Sequence, residues 1–80
     1  MITTRLLEVT RLIDKIGEEK IGSIHLKYPD LDEGTTTVTV LVKFMDETQM
    51  LEAISFMREL GWYRRIKNNG YVLFIWVMRD

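Results

Sequence analysis

The chain contains no cysteine, one proline and one histidine, and each shortage removes a class of chemistry. Without cysteine there are no disulfides, thiolate zinc sites or cysteine nucleophile. His25 has no serine or carboxylate partner at a spacing that suggests a catalytic dyad, so it reads as a surface strand residue rather than a general base. The five glycines are scattered at 17, 22, 34, 61 and 70, which leaves no phosphate-cradling loop. No apolar run approaches the roughly 18 residues of a membrane span, and the N-terminus lacks the apolar stretch of a signal peptide. The longest such run, Tyr71–Met78, is of strand length. Net charge is −1, so no global attraction to nucleic acid or membrane is expected. Asp30-Leu31-Asp32-Glu33-Gly34 resembles the opening of a calcium loop, but the remaining ligand positions and closing glutamate are missing. It reads as a solvated acidic turn. The expectation is a cytoplasmic, non-enzymatic protein without metal or cofactor.

What is present is an ordinary globular balance, 46% hydrophobic and 29% charged, in 80 residues that predict one domain. A domain this small has a limited core and gains from association. Within it lies an internal repeat, 3–44 and 46–80. Residues 6–17 (LLEVTRLIDKIG) align with 50–61 (MLEAISFMRELG): apolar positions coincide, Glu8 matches Glu52, and both end in glycine.

Each segment predicts an amphipathic helix. Leu6, Val9, Ile13 and Ile16 form one stripe; Met50, Ala53, Ile54, Met57 and Leu60 form the other. Glu8, Arg11, Lys15, Glu52 and Glu59 are expected on the solvent sides, and the methionines at 45, 50 and 57 in or beside the core. Asp46 suits an N-cap, with Gln49 completing a capping box and Met45 and Met50 a hydrophobic staple. Gly17 and Gly61 suit positive-φ helix ends.

A hairpin follows each helix. The first runs over 20–28, the loop 29–34 and 35–44; the second over 62–67, Asn68-Asn69-Gly70 and 71–78. Asn-Gly is a favoured two-residue turn because both positions tolerate positive φ. With Asn69-Gly70 as that turn, Asn68 opposes Tyr71, Ile66 opposes Leu73 and Arg64 opposes Ile75. Alternation then predicts a buried face of Ile24, Leu26, Tyr28, Val38, Val40, Val42, Phe44, Ile66, Leu73, Ile75 and Val77 beneath both helices. Arg64 is the misfit, placed on an edge strand. The fold expected is α+β, a duplicated α-β-β-α-β-β unit with a four-stranded antiparallel sheet and two helices on one face. That is a circularly permuted ferredoxin-like sandwich, with the second strand of each copy at the centre.

On this parity the opposite face carries Ile21, Ser23, His25, Lys27, Thr35, Thr37, Thr39, Leu41, Lys43, Tyr63, Arg65, Lys67, Val72, Phe74, Trp76 and Met78. A sheet covered on one side should be polar on the other, and this last strand is apolar on both. The candidate binding surface is therefore Tyr63, Arg65, Lys67, Val72, Phe74, Trp76 and Met78, with His25 and Lys27. Exposed apolar surface of this kind marks protein interfaces. The function expected is a small protein-interaction module, homodimeric through the open sheet face. It would act as a regulator or inhibitor that occupies a partner surface, in the style of small phage and mobile-element proteins. The alternative is a single-stranded RNA or DNA binder that stacks bases on Tyr63, Phe74 and Trp76 among the basic residues.

Overall fold

The computed structural model describes residues 2–27 and 36–78. In chain order they form α1 (Ile2–Ile16), β1 (Ile21–Lys27), β2 (Thr36–Phe44), α2 (Glu47–Glu59), β3 (Tyr63–Ile66) and β4 (Tyr71–Met78), with 3₁₀ turns at Glu18–Lys20 and Asn68–Gly70. The acidic loop 29–34, Tyr28 and Thr35 lie outside the described residues. So does the calcium-loop comparison.

Local chemistry sets the ends of α2. Asp46 takes an extended conformation and its Oδ1 accepts the Thr48 N–H at 2.7 Å, which satisfies one of the free amides of the first turn. At the other end Gly61 has φ 98°. Its N–H donates to the Arg58 carbonyl at 3.0 Å, while the Trp62 N–H reaches back to Met57 at 3.0 Å. This pair of bonds is a Schellman ending, and it delivers Trp62 into the core. Gly17, after α1, shares the positive φ of 98°.

All strand pairs are antiparallel and the order is β1-β2-β4-β3, so β2 and β4 are central. The architecture is α+β, a four-stranded sheet with two helices, compatible with a ferredoxin-like sandwich. Both helices pack on one face. Val9, Leu12 and Ile16 of α1 and Ala53, Ile54 and Met57 of α2 meet Val38, Val40, Val42, Phe44, Val72 and Phe74 in a single core cluster.

That cluster overturns the parity expected for β4. Phe74 and Val72 are fully buried beneath the helices and Trp76 packs against the same core, whereas Leu73, Ile75 and Val77 face the other way. The turn itself is as expected: Asn69 (φ 63°, ψ 35°) and Gly70 (φ 80°) are its two positive-φ residues, and the Tyr71 N–H bonds to the Asn68 carbonyl. The difference lies one residue earlier. Lys67 N–H, not that of Asn68, donates to Tyr71 O at 2.8 Å, so Lys67 and Asn68 together oppose Tyr71. Ile66 then pairs with Val72 and Arg64 with Phe74. A one-residue bulge moves every later side chain to the opposite face.

The same device acts in β1. Ile21 pairs with Phe44 but Ser23 with Lys43, leaving Gly22 as the extra residue. Ile21, expected outward, is therefore turned in and packs against the core. Three smaller corrections follow. Ile66 lies on the helix side by register but is exposed, since β3 is an edge strand. Met45 is exposed, beyond the cover of the core. Glu8, expected in solvent, is buried.

Candidate protein-interaction face

The face of the sheet away from the helices is assembled in cross-strand rows. Ser23, Lys43 and Tyr71 form one row; His25, Leu41, Leu73 and Arg65 the next. Thr39, Ile75 and Tyr63 follow, with Lys27 at the β1 position of that row, and then Thr37 and Val77. Apolar side chains thus occupy the middle, with Leu41 on β2 and Leu73, Ile75 and Val77 on β4. Tyrosines and cations stand around them. Tyr63 is 68% exposed. Lys43 Nζ sits 5.6 Å from the centroid of the Tyr71 ring, within cation–π range. His25, Leu41, Lys67 and Tyr71 enclose a shallow depression of about 290 Å³.

No acidic residue belongs to any of these rows. Lys43, Arg65 and Lys67 contribute three positive charges to the face. With a chain total of −1, everything else must sum to −4. The near-neutral composition conceals the local excess of cations in these rows.

Of the nine surface residues expected, Tyr63, Arg65, Lys67 and His25 are brought together here, and Lys27 holds the matching register position. Val72, Phe74 and Trp76 are removed to the helix side by the bulge. Met78 ends β4 opposite Thr36. The residues missed were Tyr71, Leu73, Ile75 and Val77. Their signal was visible as an apolar β4, but its two faces were exchanged.

Trp76 instead joins a cluster that composition gave no reason to expect. The Arg5 guanidinium lies 3.6 Å from the Trp76 ring centroid and its Nη1 is 2.9 Å from Glu8 Oε1. The same Glu8 oxygen accepts the Trp62 Nε1–H at 3.2 Å, and the two tryptophans meet edge to face at 5.8 Å. The Arg5–Glu8 approach is a charge contact without hydrogen-bond direction, since neither Arg5 Nε nor Nη1 has a hydrogen-bond partner. A cation–π contact with the indole takes its place. This cluster fastens the first turns of α1 to β4 and to the start of β3. It is structural and lies opposite the open face.

Among the described residues no group of three or more His, Asp or Glu side chains is placed to hold a metal ion, and no helix is long and apolar enough to cross a membrane. No protein-family model, curated protein or solved structure matches the chain.

Proposed function

We propose that the protein is a non-enzymatic protein-interaction module whose working surface is the open sheet face, and that it regulates or inhibits by occupying a partner surface. One observation carries this reading: an apolar centre of Leu41, Leu73, Ile75 and Val77 flanked by tyrosines and cations, with no acid among the described residues of the sheet rows. Protein interfaces have this anatomy, with a desolvated apolar middle and a polar rim in which Tyr and Arg are enriched. The cationic rim selects for a partner with acidic flanks. The site of action is the cytoplasm, where a small domain without disulfides is at home.

The test is affinity capture from the protein's own cells with wild-type and Ile75→Asp baits. The reading expects a protein retained by the first and lost by the second, with both baits melting at similar temperatures. Identical captures by the two baits would overturn it.

A second reading, single-stranded nucleic acid, is favoured by the depression against Tyr71 with Lys67 and His25 beside it. It has lost Phe74 and Trp76 as stacking platforms, and aliphatic rather than aromatic side chains hold the centre. Oligonucleotide binding with a steep salt dependence would establish it in place of the first.

We also infer that the chain arose by duplication of an α-β-β unit, as a circular permutation of the ferredoxin-like sandwich. Support comes from the α-β-β-α-β-β order, the central β2–β4 pairing and the shared φ of 98° at Gly17 and Gly61.

A further inference from the structure

We propose that the open sheet face takes the outer side of α2 from a second copy of this chain, so that copies associate head to tail; this rests on the open face being the working surface. Four observations point to that occupant. Among the described residues the sheet face carries Lys43, Arg65 and Lys67 and its rows hold no acid, so two such faces repel each other when brought together. The outer side of α2 has the opposite sign: Asp46, Glu47, Glu52 and Glu59 are exposed there, with Arg58 the one cation.

Leu51, 55% exposed, lies one turn after Glu47 on the flank of α2, next to Glu52 in sequence. An exposed leucine beside Glu47 matches an apolar strip in a basic setting. The dimensions agree as well. Thirteen helical residues span about 20 Å, and the outward residues of β4 from Tyr71 to Val77 cover about 20 Å.

The two surfaces lie on opposite sides of the two-layer sandwich, so the contact cannot be mutual within one pair. It is heterologous, and repeating it builds open chains rather than a closed dimer. A single helix buries well under the ~800 Å² per partner of a standard interface, so the contact is weak and salt-sensitive.

Sedimentation equilibrium on the full chain tests this with two variants, Ile75→Asp on the sheet face and Leu51→Asp on α2, both checked for unchanged melting. Wild type is expected to gain mass steadily as concentration rises towards about 1 mM at low salt, and to lose it near the salt level where the screening length falls to about 3 Å. Each variant alone is expected to stay monomeric. An equimolar mixture regains one contact, Leu51 of the Ile75→Asp copy against Ile75 of the other, and stops at twice the monomer mass.

A wild type that stays monomeric throughout overturns the inference and leaves the capture experiment to judge the module reading. Loss of association in Ile75→Asp but not Leu51→Asp also overturns it, in favour of a symmetric sheet-to-sheet dimer. A wild-type monomer that binds oligo(dT) with steep salt dependence overturns it in favour of nucleic acid.

Discussion

Glu8 shows how much a single side chain can owe to its tertiary setting. On a helical projection it belongs with the solvent-facing charges, yet it is 7% exposed, paired with Arg5 and bonded to Trp62 Nε1–H. Replacing it with alanine leaves Arg5 without its counter-charge and the indole N–H without its acceptor. Removal of one partner from a buried pair is expected to cost about 3 kcal/mol, read by urea denaturation. Tryptophan fluorescence should shift in the same variant because both rings lose their present packing. Gly61 is the second residue whose identity is dictated by its position. It holds φ 98°, and a Cβ there would stand 3.0 Å from Trp76 Cζ3. Gly61→Ala should therefore destabilise by more than about 1 kcal/mol; a melting temperature unchanged from wild type would contradict the Schellman role assigned to it.

At the scale of elements, β4 carries the main lesson. Its sequence, YVLFIWVM, is apolar at both parities, so alternation alone gives no preference for either face. The choice between Phe74 and Ile75 as the buried set falls to the turn, and one bulged residue decides it. Two substitutions read this directly. Phe74→Ala should cost about 3–5 kcal/mol, as a large side chain removed from a filled core, whereas Ile75→Ala on the open face should cost well under half of that. Deleting Asn68 would remove the bulge while keeping the Asn-Gly turn: Lys67 alone would oppose Tyr71, and Ile66–Val72 and Arg64–Phe74 would stay paired. Phe74 should therefore remain buried and urea denaturation cooperative; loss of the cooperative transition would contradict that register. The inward turn of Ile21 at Gly22 has the same cause on a smaller scale.

The whole molecule combines a near-neutral total with one sheet face whose described rows hold cations and no acid. Net charge of −1 gives no hint of it, because the cations of β2 and β3 offset acids elsewhere in the chain. Only the folding of those strands onto one side, with α2 on the other, turns composition into polarity. Any binding through the sheet face should weaken as salt rises, while global stability, resting on the core, should change little across the same range. Comparing the two responses in one salt series checks that separation. A melting temperature that fell in step with binding would place the cations in the fold rather than in recognition.

The sequence by itself determined the elements and their order. Helical periodicity, the Asp46 cap, positive-φ glycines after each helix and the Asn-Gly turn are local signals, each settled within a few residues. Alternation in β2 was equally legible, because Val38, Val40 and Val42 alternate with Thr37, Thr39 and Lys43, with Leu41 the one apolar exception. Tertiary structure decided what local signals leave degenerate. It chose the face of a strand apolar on both sides, turned Glu8 inward to meet Arg5 and Trp62, and gathered Tyr63, Arg65, Lys67, Tyr71 and the aliphatic strip onto one surface. The physical reason is the two-residue period of a strand: a single inserted residue leaves the hydrogen-bonded ladder intact in kind and reverses what the ladder presents to core and to solvent.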